Sequence, residues 1–325
     1  MRGSMPTVSV VIPSFRGGRF LREAVASVQS QTLTDWEIVI VLDGCEDDLS
    51  DIEQADSRVR VFQQRNRGVS IARNVGIEHA QSELVALLDD DDRMLPDRLL
   101  AQVEAMSDEI IGLCHTQFCY IDDEGAVTGA GLSKESQYRD FLRDDGEILL
   151  SSTMIRKSLI EEVGGFSPLL TLCEDLDLLY KIARESTVRF LPEVLTEYRR
   201  HSSNTSPTTA GGAERKMILR EHLFAAEARG ETENVQAIRQ GMSFILAGRT
   251  EKAIRYAHEA RTRHNYLGML SALSLALLLS PGLTLRVSLR QTRRDRFGDQ
   301  SFASFVRNRI RARRENGKHV ERSND

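Results

Sequence analysis

Short apolar runs alternate with helical patterns in the first part of the chain. Four runs are mainly apolar: residues 8–12 (VSVVI), 37–42 (EIVIVL), 59–62 (VRVF) and 84–88 (LVALL). Between the first two, apolar residues recur at helical spacing, and residues 68–80 show the same period. Strands that lack polar alternation and are joined by helices are typical of a parallel sheet buried on both faces. The pattern predicts an α/β fold with a mostly parallel sheet flanked by helices.

The length and one small-residue segment predict two domains. The chain has 325 residues, whereas about 150 residues per domain is usual. Residues 201–212 (HSSNTSPTTAGG) suit a linker. We therefore expect a first domain over 5–205 and an all-helical C-terminal domain with a basic tail over 206–325. Residues 1–4 (MRGS), which a second Met follows, resemble an expression leader.

Composition and charge refine this prediction. Hydrophobic residues make up 41% and charged residues 28% of the chain, which excludes collagen-like and largely disordered proteins. The net charge of -5 is unevenly spread, because residues 286–314 carry +8 and the remainder -13. The four cysteines form no CxxC pair and no signal peptide precedes them, so we expect a cytoplasmic protein without a zinc site or a disulfide framework.

Polar residues follow three of the predicted strands. Pro13 and Ser14 follow the first, Asp43 follows the second, and the run Asp89–Asp92 follows the fourth. Ligands of an open parallel sheet bind beyond the carboxyl ends of its strands, so these residues should line one crevice. Four adjacent carboxylates repel one another unless a cation or hydrogen-bond donors offset their charge. The run predicts Mg²⁺ or Mn²⁺ on a substrate diphosphate, with a solvated acidic loop as the alternative.

Six stretches of the first 205 residues occur together in the order and roughly the spacing of a known family. They are VSVVIPSFRGGRFLREAVASVQSQT, EIVIVLDG, NRGVSIARNVGI, LVALLDDDDRMLPDRL, VGGF and EDLDL. This set resembles glycosyltransferase family 2, whose members have the Rossmann-like GT-A fold. The resemblance implies an inverting, metal-dependent transferase that moves a sugar from a nucleotide-diphosphate donor, with a UDP-sugar favoured, to an acceptor hydroxyl.

The resemblance also implies which residues bind the nucleotide. Pro13 and Ser14 would border it, and Asp43 would accept a hydrogen bond from N3–H of uracil or thymine. Arg73 would hold the nucleotide or its phosphates; its alternative is an arginine on a helix surface. Asp89 would open the family's LDxDD pattern, and Asp90 would contact the ribose.

Two further residues are implied for the metal. Asp91 would bind the cation, although the register within four identical aspartates is open by one position. His201 would reach the diphosphate or the metal, and its alternative is an ordinary loop histidine. Arg199 and Arg200, which precede it, could pair with phosphate, but surface charge is the default interpretation.

The family's ED signature corresponds to Glu174 and Asp175. The resemblance implies that Asp175 is the general base, with Glu174 beside it and Asp177 orienting the site. Inverting transfer needs a base on the face of the sugar opposite the departing diphosphate. The alternative is that these acids only stabilise a helix N-terminus.

The sequence argues against two other classes of nucleotide-binding enzyme and leaves two alternative functions open. The chain lacks the GxGxxG motif of dinucleotide-binding enzymes and the GxxxxGK[ST] motif of P-loop enzymes. A catalytically silent scaffold with the same fold is one alternative, and a transferase that modifies a protein or metabolite is another. Assembly of a bacterial polysaccharide or glycolipid is the expected setting.

The C-terminal segment leaves its own alternatives open. Residues 266–285 are uncharged, but Pro281 and Gly282 interrupt them, whereas a spanning helix needs about 20 apolar residues. A buried helix, which could form a homodimer contact, and a membrane-surface anchor are preferred to a spanning helix. Together with the arginines of 286–314, an anchor would bind an anionic membrane at the inner face of the plasma membrane. Nucleic acid is not expected as a partner, since the tail has no recognition motif.

Overall fold

The computed structural model describes residues 5–45, 47–143, 148–201, 211–239 and 242. The strands of these ranges are β1 (Val8–Ser14), β2 (Trp36–Asp43), β3 (Val59–Gln64), β4 (Leu84–Leu87), β5 (Arg93–Met94), β6 (Ile111–Ile121), β7 (Val127–Ala130), β8 (Thr153–Arg156) and β9 (Thr187–Arg199). The α-helices are α1 (Arg19–Gln29), α2 (Ser50–Ala55), α3 (Val69–His79), α4 (Arg98–Ala105), α5 (Tyr138–Leu142), α6 (Lys157–Glu162), α7 (Glu174–Glu185) and α8 (Gly211–Ala228). Residues 232–239 are also helical.

The strands form one sheet in the order β3-β2-β1-β4-β8-β6-β9-β5, and β7 pairs with β6. The pairs β1–β2, β1–β4, β2–β3 and β6–β9 are parallel. Strand β8 lies between β4 and β6 and is antiparallel to both. The short strands β5 and β7 also run against their neighbours. The predicted α/β class with helices flanking the sheet is confirmed. The sheet of the described residues is mixed, since four of its eight strand pairs are antiparallel, and the reversed β8 joins its two parallel parts.

The buried core explains why the first strands lack polar alternation. Every residue of β1 and β2 is buried, because helices cover both faces of this part of the sheet. Helix α3 packs against β1 and β2. Gly76 permits this contact: a Cβ atom there would lie 2.4 Å from Cγ1 of Val11, well inside van der Waals distance.

A buried polar network ties α4 to the strands below the aspartate run. The Arg98 guanidinium donates to the carbonyls of Leu87 (3.1 Å) and Thr153 (3.0 Å). Gln102, one turn later, donates to the carbonyls of Cys114 (3.1 Å) and Ser152 (3.0 Å). Burial lowers the pKa of Arg98 to about 9, although the nearby Asp92 opposes the shift. Side chains of one helix thereby fix the end of β4, which precedes the aspartate run, and the start of β8.

Helix α8 belongs to the first compact unit of the chain, which spans residues 1–241. Ile218 and Leu219 of α8 are buried, and His222 lies 2.8 Å from the hydroxyl of Tyr138. The predicted boundary at 205/206 stays a prediction, since most of 206–325 lies outside the described residues. Within the described residues, no helix combines the length and apolarity needed to cross a membrane. The predictions for 266–285 and 286–314 also concern residues outside them.

Candidate active site

The carboxyl ends of β1, β2 and β4 meet at one edge of the sheet. Strand β1 ends at Ser14 and β2 at Asp43. The ladder between β1 and β4 stops at the pair Val11–Leu87. Pro13 and Ser14 therefore extend past β4, beside the turn that the aspartate run forms. The expected convergence of these residues on one crevice follows from the parallel pairing.

Ser14 holds the second aspartate of the run. Its hydroxyl donates to Oδ2 of Asp90 and accepts the backbone N–H of Gly17 at 3.0 Å. Burial raises the pKa of Asp90 to about 6, even though the hydrogen bond from Ser14 lowers it. A neutral hydroxyl thus orients a carboxyl group that burial makes easier to protonate.

Asp43 organises the loop that leads into α3. Its Oδ1 accepts the Gln64 side-chain amide and the Arg67 backbone N–H, both at 2.8 Å, and its Oδ2 accepts the Gly68 N–H at 2.9 Å. A carboxylate has about four acceptor positions. Residues of the described part of the chain use three of these positions and leave the fourth unused.

Arg73 links the two acidic motifs. Its guanidinium donates to Oδ1 of Asp89 at 2.7 Å and to Oε1 of Glu174 at 2.9 Å, and it lies over the ring of Phe166, 5.2 Å from the centroid. Burial alone would lower the pKa of Arg73, but Asp89 and Glu174 more than offset this and the pKa is raised. The alternative of an exposed helix-surface arginine is wrong, because the side chain is only 6% exposed. The predicted contact with nucleotide or phosphates stays a prediction.

His201 and Asp91 are neighbours. Nε2 of His201 lies 2.8 Å from Oδ2 of Asp91, and the imidazole stacks on Phe20 with 5.7 Å between ring centroids. Burial raises the pKa of Asp91, the Asp89 carboxylate adds to the shift, and His201 opposes it. The two residues predicted to reach the metal are therefore brought together across 110 positions of sequence.

Glu174 and Asp175 begin α7. Oδ1 of Asp175 accepts the backbone N–H of Leu176 at 2.7 Å, while Asp177 pairs with Lys181 at 2.8 Å. Burial raises the pKa of Asp175 to about 6; Glu174 adds to the shift, and Arg73 acts against it. Asp175 is therefore mainly ionised at neutral pH, yet it is a stronger base than an exposed aspartate.

Arg199 is a site residue whose burial and contacts the sequence did not reveal. It is fully buried, its Nε donates to the carbonyl of Asp91 at 2.9 Å, and its backbone N–H donates to Oδ1 of Asp92 at 2.9 Å. Its guanidinium also pairs with Glu23 at 2.5 Å. The default of surface charge is wrong for Arg199 and holds only for the exposed Arg200. The alternation of side chains along a strand could have indicated this difference, because residues 199 and 200, at one strand end, face opposite ways.

Two further residues, Ser151 and Asn74, hold the backbone next to the site residues. The hydroxyl of Ser151 accepts the backbone N–H of Asp89 at 3.1 Å. The side chain of Asn74 donates to the carbonyl of Phe166 at 2.8 Å and accepts its N–H at 2.9 Å. Asn74 thereby fixes the VGGF turn to the helix that carries Arg73. Ser151 stands in no pattern that signals chemistry. Asn74 belongs to the NRGVSIARNVGI stretch, but only the fold identifies its partner.

Comparisons with known proteins agree with this architecture. A model described as Glycosyl transferase family 2 matches residues 9–164. An uncharacterised glycosyltransferase from Nostoc is 30% identical over 220 residues, which cover 62% of this chain and 67% of that protein. The GalNAc(5)-diNAcBac-PP-undecaprenol beta-1,3-glucosyltransferase of Campylobacter jejuni is 31% identical over 172 residues, or 48% of this chain and 54% of that protein.

Among solved structures, the S. aureus TarS 1-349 complex with UDP-GlcNAc has a TM-score of 0.59 at 16% identity. The match covers 82% of this chain and 90% of the TarS chain. At this identity the likeness concerns the fold alone. Two uncharacterised relatives from Rickettsia are matched over only 20% of their length, so the chain spans a fifth of those proteins. The family model, the Nostoc relative that is matched over two thirds of its length, and the motifs at the strand ends lead to one conclusion: the chain belongs to glycosyltransferase family 2.

Proposed function

We propose that this protein is an inverting glycosyltransferase that moves a sugar from a nucleotide-diphosphate donor to an acceptor hydroxyl. The observation that carries the proposal is the position of Asp175. Its carboxylate has a pKa raised to about 6, and Arg73 links the neighbouring Glu174 to the aspartate run. Inverting transfer requires a general base and a site that stabilises the departing diphosphate, and the acidic crevice beside Asp175 could do the latter with a bound cation.

Asp175 acts as the general base in this proposal. It takes the proton of the acceptor hydroxyl while the hydroxyl oxygen forms a bond to the anomeric carbon. The bond from that carbon to the diphosphate oxygen breaks, and its electron pair leaves with the nucleoside diphosphate. Because the acceptor attacks from the face opposite the leaving group, the anomeric configuration inverts.

Asp91 and His201 would hold a divalent cation, Mn²⁺ or Mg²⁺. When bound, the cation neutralises charge on the departing diphosphate. The residues fit this role, since burial disfavours the negative charge of Asp91 and a nearby positive charge would offset that cost. The described residues contain no group of three or more His, Cys, Asp or Glu suited to a metal. Two protein ligands suit a cation that shares substrate phosphates, since Mg²⁺ is often bound in that way.

The nucleotide would bind between Pro13–Ser14 and Asp43. The free acceptor position of Asp43 suits N3–H of uracil, which favours a UDP-sugar. Asp90, oriented by Ser14, would accept a hydrogen bond from the ribose. The UDP-GlcNAc named in the TarS complex supports this choice of donor class.

The setting that we propose is the assembly of a bacterial polysaccharide or glycolipid. The Campylobacter relative is named for a glucosyl transfer to an undecaprenol-linked glycan, which supports a lipid-linked acceptor. A catalytically silent scaffold is the competing interpretation. It predicts donor binding without turnover.

One experiment separates these two interpretations. UDP-, GDP- and dTDP-sugars are first screened for thermal stabilisation of the full chain with Mn²⁺, because a bound donor stabilises the native state. The stabilising donor is then incubated with glycan acceptors, and the anomeric configuration of the product is read by NMR. An inverted product supports the proposal. Donor binding with neither transfer nor hydrolysis would favour the scaffold, and a retained configuration would overturn the role of Asp175.

A further inference from the structure

The loop before α7 is held by a side chain from α8. Oε2 of Glu214 accepts the backbone N–H groups of Leu172 at 2.9 Å and Cys173 at 3.0 Å. Oε1 accepts the hydroxyl of Thr171 at 2.9 Å and its N–H at 3.2 Å. One carboxylate therefore binds three consecutive backbone amides.

These amides lie directly before the proposed general base. Cys173 is the N-cap residue of α7, and Asp175 is the second residue of the helix. A thiol is a weak hydrogen-bonding group, whereas helix starts usually carry Ser, Thr, Asp or Asn at this position. Glu214 provides from another helix the anion that the N-terminal end of α7 favours.

Helix α8 is well placed to carry this carboxylate. Ile218, Leu219 and His222 are buried within the first compact unit, and His222 contacts the Tyr138 hydroxyl. Glu214 lies one turn before Ile218, so it is aligned with the buried stripe of the helix. The packing of α8 thus sets the position of the Glu214 carboxylate.

Glu214 is charged under ordinary conditions. Burial alone would raise its pKa, but the hydrogen bonds from Leu172, Thr171 and Cys173 outweigh this effect and lower the pKa. A charged acceptor makes stronger hydrogen bonds than a neutral one. The loop is therefore restrained most strongly when Glu214 is ionised, which is its state at neutral pH.

We propose that Glu214 is a positioning residue of the transferase, which holds Thr171–Cys173 and thereby sets the place of Asp175 at the start of α7. This role rests on the proposed function, because it assigns Asp175 as the base. It also makes α8, which follows the predicted linker, a contributor to the active site. No motif in the sequence marks Glu214.

The test compares three variants of the full chain. Glu214→Gln removes the charge at nearly constant shape, and Glu214→Asp keeps the charge on a shorter side chain. Glu221→Gln is the matched control, since Glu221 is an exposed glutamate of the same helix. Each variant is measured for amide hydrogen exchange of 171–173, for kcat and donor KM, and for the pH dependence of kcat.

We expect exchange of the 171–173 amides to rise about tenfold or more in Glu214→Gln, because hydrogen bonds to a charged acceptor are lost. We expect kcat to fall about tenfold at an almost unchanged donor KM. The midpoint of the acidic limb of kcat should move below pH 6, since a loosened turn hydrates Asp175 and removes part of the burial that raises its pKa. Glu214→Asp should be intermediate, and Glu221→Gln should match the wild type.

The outcomes separate this role from the proposed function. Rapid exchange of 171–173 in the wild type would overturn the contact itself. Faster exchange in Glu214→Gln with unchanged kcat and an unchanged pH midpoint would overturn the positioning role and leave the proposed function standing. A wild type that binds donor but transfers no sugar would overturn the proposed function, and with it the role of Glu214.

Discussion

At the scale of single residues, the site separates its carboxylates by their surroundings. Asp90 and Asp175 both have a pKa of about 6 because burial disfavours their charge. Asp43, in contrast, accepts three hydrogen bonds, from the Gln64 side chain and from the backbone N–H groups of Arg67 and Gly68. An aspartate side chain can therefore bind a ligand, accept a proton or contact a cation, depending on the groups that surround it in the fold.

The acidic limb of the pH–rate profile should report Asp175. Only the ionised carboxylate accepts a proton, and its folded-state pKa is raised to about 6, so kcat should fall as the pH drops through about 6. Asp175→Asn should lower kcat by about 10² to 10⁴ while donor binding is nearly preserved, and its residual rate should lose this limb. Steady-state kinetics over pH 5–8 checks the acidic limb and the loss of kcat, and calorimetry checks that donor affinity is preserved. A loss confined to donor affinity would argue for a binding role.

Asp91 should govern the response to metal. Asp91→Asn should abolish the stimulation of transfer by Mn²⁺, because the proposed cation loses its carboxylate ligand. His201→Ala should weaken the response and raise the Mn²⁺ concentration that gives half-maximal rate. Metal titrations of the rate, with circular dichroism to verify folding, provide the measurement. An Asp91→Asn variant with the wild-type Mn²⁺ response would exclude the assignment.

At the scale of elements, Arg73 joins α3 to α7 and to the end of β4. The acidic ends of two elements would repel each other without a cation between them. A buried, doubly paired arginine offsets that repulsion and sets the distance between the aspartate run and α7. The aspartate run, which we propose lies beside the nucleotide, and the start of α7, which we propose supplies the base, are thus connected through one side chain.

Arg73→Gln should therefore destabilise the protein strongly. Removing one partner of a buried ion pair typically costs about 3 to 5 kcal/mol, since the remaining charges stay buried. Urea denaturation of the variant measures the change in the free energy of unfolding. Arg65→Gln is the matched control, because Arg65 is exposed and surface substitutions usually change stability by about 0.5 kcal/mol or less. Equal stability of the two variants would contradict the role of Arg73 as a link.

At the scale of the whole molecule, the acidic residues of the proposed active site and the most basic segment are separated along the chain. Residues 286–314 carry a net charge of +8, and the rest of the chain carries -13. Residues 286–314 lie outside the described part of the structure, so their proposed role rests on the sequence. An enzyme with a lipid-linked acceptor would gain from a segment that binds an anionic surface.

Full-length protein should bind anionic liposomes in low salt, and truncation after Ser280 should remove that binding. Each Lys or Arg near an anionic leaflet contributes about 1 kcal/mol, an interaction that added salt screens. Co-sedimentation with and without salt measures binding, and donor hydrolysis by the truncated chain serves as the control. If full-length protein ignores anionic liposomes at low salt, residues 266–285 should be sought in a core or a homodimer contact.

The sequence alone was sufficient for the fold class and for the main acidic groups. Uninterrupted apolar runs indicate strands buried on both faces, and polar residues at their ends must meet at one edge of a parallel sheet. Local periodicity encodes these features, so Asp43 and the aspartate run stand out without coordinates. Glu174 and Asp175 were indicated by the resemblance to glycosyltransferase family 2 and not by periodicity. The reversed direction of β8 has no such local signal, because an apolar strand reads alike in either direction.

Only the tertiary structure decided which partners each group has. Arg73 reaches two carboxylates, Arg199 is buried beneath the aspartate run, and Glu214 holds the start of α7 from another helix. These contacts join residues that are distant in the chain, and each depends on burial and orientation that composition does not encode. The pKa of Asp175 follows from the same surroundings, since desolvation and neighbouring charges exist only after the chain has folded.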